Sequence, residues 1–235
     1  MSQEERQDLT YSTNWEVATW NYIVESNPPG INLSNAEERA PWLAGLVSLA
    51  LSALDGFAQI DSIDVSTDSK GEDAFTIKSG TIENLKLLDV FSRSALDVSE
   101  VDSWLSLKCL RINADGLPEE FLIPNNGRLS IENNITKHGS IKQGLVRVYF
   151  NFESNIYSPI ARSDNRTLAA LNAPRLRKFL HRLAEIPSLK LDYIDDPVGQ
   201  IKEAKRYGVV DDYGYKMPDD PRAFEELLKR ESASW

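Results

Sequence analysis

Residues 34–57, SNAEERAPWLAGLVSLALSALDGF, carry the clearest periodic pattern of the chain. Ser34 and Glu37 have the spacing of a capping box, in which two residues bond the free N–H groups at a helix start. Pro41 leaves two arrangements open: a helix that begins near Ala40, or a short first turn that kinks into the main helix. The apolar residues recur every three or four positions, namely Trp42, Leu43, Leu46, Val47, Ala50, Ala53, Leu54 and Phe57. We therefore predict a long, mostly buried helix in the N-terminal half.

Runs of β-branched and aromatic residues lie on both sides of this helix. Trp15–Val24, WEVATWNYIV, has apolar residues at both odd and even positions, which indicates a central strand buried on both faces. Leu145–Phe152 alternates apolar and polar residues, the pattern of a strand with one buried face. Asp68–Gly71 is typical of a hairpin turn, and Ile82–Phe91 fits either a helix or a strand. Further β-like runs are Ile63–Val65, Phe75–Ile77, Trp104–Ile112, Leu129–Ile131 and Leu189–Ile194.

Amphipathic helices are predicted in the C-terminal half. Residues 173–185 carry an apolar stripe, with Asn172 as the N-cap and Pro174 in the first turn. Asp-Pro pairs at 196–197 and 220–221 open two shorter helices in the same way. Strands in the middle of the chain, with helices before and after them, are typical of an α+β fold with a mainly antiparallel central sheet and helices packed on it. We expect a polar tail over residues 1–13 and a single domain over 14–235.

Composition and cysteine usage indicate a soluble, cytoplasmic protein. The N-terminus has no apolar segment typical of a signal peptide, and the longest uncharged stretch, Ala40–Leu54, is 15 residues. A membrane span needs about 20 apolar residues, so no membrane partner is expected. The single cysteine, Cys109, has no partner for an internal disulfide, which fits a reducing compartment. Its apolar strand favours a small buried core residue over a nucleophile.

The formal net charge is −10, and it is unevenly distributed. Residues 1–120 hold 8 Lys/Arg against 21 Asp/Glu, whereas residues 121–185 hold 10 against 4. Such a balance disfavours nucleic acid and favours a basic protein partner. The basic run in the 173–185 helix has two interpretations, phosphate binding and ion pairing within the chain or across an oligomer, and we favour pairing. This run comprises Arg175, Arg177, Lys178 and Arg182.

No common catalytic motif is present: the chain lacks a phosphate-binding Walker loop, a dinucleotide fingerprint, HExxH, GxSxG and CxxC. Two histidines are too few for a multi-histidine metal site. We therefore predict no catalytic residue, no metal ligand and no cofactor. Clustered carboxylates at the three Asp-Asp pairs leave a Mg²⁺-dependent enzyme as an alternative. Helix capping accounts for Asp195-Asp196 and Asp219-Asp220.

The third acidic pair lies in a loop that mixes acid with aromatics. Tyrosine supplies rigid contact area with a polar tip, and carboxylates attract a basic partner. An ordinary loop whose tyrosines pack on the core is the other interpretation. The predicted partner-binding residues are Asp211, Asp212, Tyr213 and Tyr215.

The order of these features resembles that of a known family. A strand with Trp15 and Trp20 runs into a Pro/Gly loop and a long apolar helix, and the later segments Arg128–Ile131, Leu145–Phe152 and Leu168–Leu183 follow. This layout is similar to the α+β immunity proteins that bacteria encode beside polymorphic or type VI secreted toxins, including the immunity-protein-52-like group. The resemblance covers about half of the chain and carries no diagnostic motif. It implies a non-enzymatic cytosolic protein that binds and neutralises one cognate toxin; a carboxylate-dependent enzyme and an oligomeric structural protein remain the alternatives.

Overall fold

A computed structural model describes residues 17–24, 28–32, 35–67, 75–78, 98–135, 141–157, 166–195 and 210–215. Two α-helices, α1 (Ala36–Ala53) and α2 (Arg166–Ala184), lie within these ranges, with a short 3-10 turn at Asn155–Tyr157. The strands are β1 (Ala18–Val24), β2 (Ala58–Thr67), β3 (Phe75–Lys78), β4 (Val98–Ile112), β5 (Pro118–Ile135), β6 (Ile141–Phe152), β7 (Lys190–Asp195), β8 (Val210–Asp211) and β9 (Gly214–Tyr215).

Seven strands form one antiparallel sheet in the order β3-β2-β4-β5-β6-β1-β7. The first strand in the chain, β1, lies between β6 and β7, and all seven of its residues are buried. This confirms the central strand that the sequence predicts. The mixed α and β content and the antiparallel pairing are confirmed as well.

The centre of the sheet is a meander of three long strands, β4, β5 and β6. The turn from β4 to β5 is closed by the Asn113 side chain, which accepts hydrogen bonds from the backbone N–H groups of Asp115 and Leu117 at 3.0 and 2.9 Å. Gly116 in this turn has φ +77°, a conformation that favours glycine. The strand β5 has 18 residues, far beyond the predicted Leu129–Ile131.

Both helices bury one face in the core on one side of the sheet. Phe179 of α2 stacks on Phe57, which follows α1, with ring centroids 4.6 Å apart, and it meets Phe150 of β6 edge-on at the same distance. Trp20 of β1 stacks on Phe152 at 5.7 Å. Because the core consists of interlocked aromatic rings, it holds the sheet and helices in one arrangement.

The start of α1 differs from the predicted capping box. Its N-cap is Asn35, whose side chain accepts a hydrogen bond from the Glu37 N–H at 3.0 Å. The helix begins at Ala36, so Pro41 lies in its second turn; this agrees with the predicted alternative in which a first turn precedes Pro41, and not with a start near Ala40. Ser34 falls outside the described residues.

The start of α2 also differs from the prediction. The helix begins at Arg166, so Asn172 is an interior residue and not the N-cap. Its buried amide donates to the carbonyl of Leu110 and accepts from the Leu110 N–H, both at 2.8 Å. Asn172 therefore joins α2 to the backbone of β4.

The basic run on α2 pairs within the protein, as the sequence analysis favoured. Arg175 donates to the Gly56 carbonyl and Arg182 to the Asp55 carbonyl, at 2.8 and 2.6 Å. Both carbonyls follow the end of α1, where backbone acceptors have no helical partner. These arginines thus hold the end of α1 against α2. The polar tail, the Asp68–Gly71 turn, the ambiguous 82–91 segment and the two predicted helices after 196 and 220 lie outside the described residues.

Candidate functional site

The sheet face opposite the helices is polar, and we call it the outer face. Successive strand residues point to opposite faces, so the core residues Leu129 and Ile131 leave Arg128, Ser130 and Glu132 on the outer face. Register places the outward residues of β4 beside them, and those of β6, β1 and β7 complete the surface. The outer face contains Thr19, Asn21, Asp64, Glu100, Asp102, Trp104, Arg128, Ser130, Glu132, Arg147, Tyr149, Asn151, Tyr193 and Asp195.

Asp102 of β4 binds two side chains of β5 on the outer face. Its carboxylate accepts hydrogen bonds from the Nε and Nη2 atoms of Arg128 and from the Ser130 hydroxyl. The Arg128–Asp102 pair is therefore bidentate, the geometry that orients a guanidinium most firmly. The Asp102 side chain is only 14% exposed, which limits screening of the pair by solvent.

Trp104 connects this group of side chains to Asp64 on the neighbouring strand β2. The guanidinium of Arg128 lies over the Trp104 ring, 5.2 Å from its centroid. On the other side, the indole Nε1 donates to the Asp64 carboxylate at 2.9 Å. Trp104 is nevertheless 39% exposed, so a large aromatic side chain is held in one orientation at the surface.

Carboxylates crowd the neighbouring positions. Glu100 and Glu132 lie directly opposite each other on β4 and β5, and Glu132 also accepts a hydrogen bond from the Tyr149 hydroxyl at 2.9 Å. Partial burial and then the negative charge of Asp102 raise the pKa of Glu100, and Glu132 acts in the same direction. The nearby Arg128 Nη2, 3.5 Å from Glu100, opposes this shift in pKa without cancelling it.

A shallow pocket of about 310 Å³ opens between these strands. Its walls are polar, and Tyr193 on the edge strand β7 is 47% exposed beside it. We call it the outer pocket; its charged and aromatic lining is Glu100, Arg128, Glu132, Tyr149, Tyr193 and Asp195. The arrangement suits recognition of polar groups by preoriented donors, acceptors and rings.

The four predicted partner-binding residues form the β8-β9 hairpin, which packs on α2. Arg177 of α2 binds both Asp211 carboxylate oxygens at 2.7 and 3.2 Å, and the same carboxylate accepts from the Tyr213 N–H at 2.9 Å. The Tyr213 ring stacks on His181 with centroids 3.7 Å apart. The hairpin therefore lies on the helix-covered side of the molecule, away from the outer face.

The four hairpin residues are not equivalent at the surface. Asp212 is exposed and Tyr213 is partly exposed, whereas the Tyr215 side chain is fully buried in the core. Its burial assigns Tyr215 to packing, the alternative that the sequence analysis weighed for these tyrosines. Asp211 orients the hairpin through Arg177, which leaves Asp212 and Tyr213 as the hairpin side chains that a partner can touch.

The thiol of the single cysteine, Cys109, is enclosed in the core. The Cys109 thiol lies 3.5 Å from the Tyr157 hydroxyl, and burial raises its pKa to about 12, so it is a core residue as predicted. Within the described part of the chain, no three His, Cys, Asp or Glu residues are arranged to hold a metal ion. None of the described helices is long and apolar enough to span a membrane.

Comparison with known proteins found no matching family model, curated protein or solved structure. The outer face must therefore be interpreted from its own chemistry. Sequence reasoning did not select it, although one signal was available. Polar residues alternate with apolar ones in Arg128–Glu132 and, more briefly, in Glu100–Asp102, the period of a strand with one exposed face.

Proposed function

We propose that this chain is a non-enzymatic binding protein that neutralises a protein partner by covering it with the outer face of the sheet. The observation that carries the proposal is the exposed Trp104 ring, held in place by Arg128 and Asp64. Tryptophan and arginine dominate the energetic centres of protein interfaces. A side chain that is already oriented loses less entropy on binding.

The composition of the surface supports a protein partner over a small substrate. Two half-exposed aromatic side chains, Trp104 and Tyr193, are accompanied by partly exposed charged and amide groups, those of Glu100, Arg128, Glu132 and Asn151. Rigid aromatic anchors among adaptable hydrogen-bonding groups are typical of protein-binding surfaces. The pocket between them is shallow and polar, unlike the deep apolar clefts that hold most small ligands.

The resemblance to bacterial immunity proteins specifies the form of this function. We propose that the partner is a cognate secreted toxin and that binding blocks its activity. The net charge of −10 favours a basic partner, as a toxin acting on nucleic acid or another anion would be. The exposed hairpin residues Asp212 and Tyr213 remain a proposed secondary contact on the opposite side of the sheet.

Site-specific photo-crosslinking tests this proposal. A photoreactive phenylalanine analogue is placed at Trp104, at Tyr193 and, as a control, at Leu49, which is 49% exposed on α1. We expect one polypeptide to crosslink at the two outer-face positions and not at Leu49, when the protein is produced in cells that encode it. The captured polypeptide should inhibit growth when produced alone, and co-production of this chain should restore growth.

Two results would contradict the proposal. Equal crosslinking from all three positions would mean that the outer face has no selective partner. A selective partner that is harmless when produced alone, or whose toxicity this chain does not relieve, would contradict the proposal that binding neutralises a toxin. The hairpin contact is tested separately by Asp212→Lys, because changing Asp211 would also break its ion pair with Arg177.

A further inference from the structure

The register of the sheet places like charges opposite each other on the outer face. Asp64 faces Asp102 across β2 and β4, and Glu100 faces Glu132 across β4 and β5. Directly opposed like charges destabilise a sheet, and two such pairs are adjacent here. Proteins accept local destabilisation of this kind chiefly where a function requires it.

The cations on this surface do not balance the carboxylates. Among the described residues around the outer pocket, three cations, Arg128, Lys190 and Arg147 (which lies opposite Glu132), stand against five carboxylates, those of Asp64, Glu100, Asp102, Glu132 and Asp195. Arg128 binds the Asp102 carboxylate through two of its nitrogen atoms, and one of these also lies 3.5 Å from Glu100. The surface therefore carries a surplus of negative charge next to the outer pocket. Such a surplus raises the pKa of a carboxyl group, and the pKa of Glu100 is raised.

We propose that the outer pocket binds a cationic side chain, arginine or lysine, of the protein partner. This inference rests on the proposed binding function and specifies its chemistry. A guanidinium entering between Glu100 and Glu132 would place a positive charge between the two opposed carboxylates. Charge-assisted hydrogen bonds of this type are about twice as strong as neutral ones.

The aromatic side chains of the pocket suit the same occupant. Tyr193 is half exposed on the edge strand, and Tyr149 is fixed by its hydrogen bond to Glu132. Faces of tyrosine rings attract cations at distances of about 6 Å or less. The long methylene segment of an arginine or lysine would pack on these rings while its charged end reaches the carboxylates.

Nuclear magnetic resonance titration of the full chain tests the pocket. The probe is the blocked tripeptide acetyl-Gly-Arg-Gly-amide, and the matched control replaces arginine by citrulline, which has nearly the same shape without the charge. We expect millimolar binding, with chemical-shift changes confined to the outer-face residues of β1, β4, β5, β6 and β7. The citrulline peptide should cause no such changes.

Two variants assign the effect to the carboxylates. Glu100→Gln and Glu132→Gln should each weaken binding by at least about threefold, the effect of one partly exposed charge pair. The amide oxygen that Glu132→Gln introduces can still accept the Tyr149 hydrogen bond, so the surface should stay folded. Asp55→Asn, an exposed change beyond the end of α1, removes the same charge and should leave binding unchanged.

The outcomes separate this inference from the proposed function. No localised shifts up to tens of millimolar peptide, or equal shifts with citrulline, would overturn the cation pocket, and selective crosslinking at Trp104 and Tyr193 would still support the function. Peptide binding that depends on Glu100 and Glu132, without any crosslinked partner, would support the cation pocket and overturn the function.

Discussion

Glu100 and Glu132 occupy directly opposite positions on neighbouring strands of the same sheet face. The pair lies at the centre of a surface that also contains the bidentate Arg128–Asp102 ion pair. A pair of opposed carboxylates therefore lies beside an ion pair in which the negative charge is neutralised by a bidentate guanidinium. The repulsion between the two glutamates is measurable, because it affects the pKa of Glu100 and the free energy of unfolding.

Replacing Glu100 by glutamine should stabilise the protein at neutral pH. The folded-state pKa of Glu100 lies above its ordinary value of 4.5, so ionisation of this group opposes folding. That destabilisation is complete above the folded-state pKa and disappears as the pH falls through it to 4.5. We expect Glu100→Gln to raise Tm by about 1–3 °C at pH 7, discounted for solvent screening, and to lose this advantage near pH 4.

Asp55→Asn is the control for total charge in this experiment. It removes one negative charge at an exposed position outside the outer face. A Glu100→Gln variant that is less stable than the parent at pH 7, or whose Tm gain equals that of Asp55→Asn, would show that the opposed carboxylates do not destabilise the sheet.

The Arg128–Asp102 pair should contribute more to stability than a comparable pair near the turn that joins β4 to β5. Arg128→Met leaves the largely enclosed Asp102 carboxylate without its guanidinium, and we expect a loss of about 1–3 kcal/mol in denaturant unfolding. Arg111 is a matched control, because it also lies 5.2 Å from an aromatic ring and pairs with a carboxylate. The more exposed Glu119 partner predicts a loss below about 1 kcal/mol for Arg111→Met.

A double-mutant cycle identifies the source of the Arg128 effect. Combining Arg128→Met with Asp102→Asn should cost less than the sum of the single changes by about 1 kcal/mol or more. Strict additivity would mean that the two residues act independently, and the Trp104 contact would then account for the loss.

The Asn172 side chain should be among the most sensitive polar positions in the core. Asn172→Ala leaves both the N–H and the carbonyl of Leu110 without their partner, and we expect a loss of about 2–3 kcal/mol. Amide exchange at Leu110 should accelerate in the same variant. Asn113→Ala also removes two hydrogen bonds to backbone, but in an exposed turn where water replaces them, so it should cost less. Equal losses would contradict the importance of burial.

Two glycine substitutions should have opposite signs. Gly214 in the β8-β9 hairpin has φ +89°, and an added Cβ would lie 3.3 Å from side-chain atoms of Leu176 and Leu180. Gly214→Ala should therefore destabilise the protein by about 1 kcal/mol or more and loosen the hairpin on α2. Gly45 lies inside α1 with open space around its Cβ position, so Gly45→Ala should stabilise by roughly 0.5–1 kcal/mol in thermal unfolding.

The local sequence pattern predicted the features that depend on a single helix or strand. The apolar period of α1, the two-sided burial of β1 and the enclosure of Cys109 follow the sequence closely. Prediction from the local pattern failed where backbone groups far away in sequence compete for the same side chain. Asn172 has the chemistry of an N-cap, yet its amide bonds Leu110, which is 62 residues away in sequence.

The long strand β5 shows the same competition. Pro124, Asn125, Asn126 and Gly127 are typical of a turn, and Asn125 does adopt a positive φ of 49°. Pairing with β4 is interrupted between Ile123 and Gly127, and pairing with β6 begins only at Gly127, so these turn-type residues form an irregularity within β5 and do not end the strand. The strand continues beyond this irregularity because the flanking residues are paired: Phe121 and Ile123 pair with β4, and Leu129 pairs with both β4 and β6.

The sequence by itself determined the element types, the apolar core faces and the acidic balance of this protein, because these depend on residue periods and on composition. It also placed Glu100, Asp102, Trp104, Arg128, Ser130 and Glu132 at alternating positions. Only the tertiary structure decided that these two groups lie side by side, since strand order and register depend on packing across the whole sheet. The opposed carboxylates and the oriented tryptophan are products of that register.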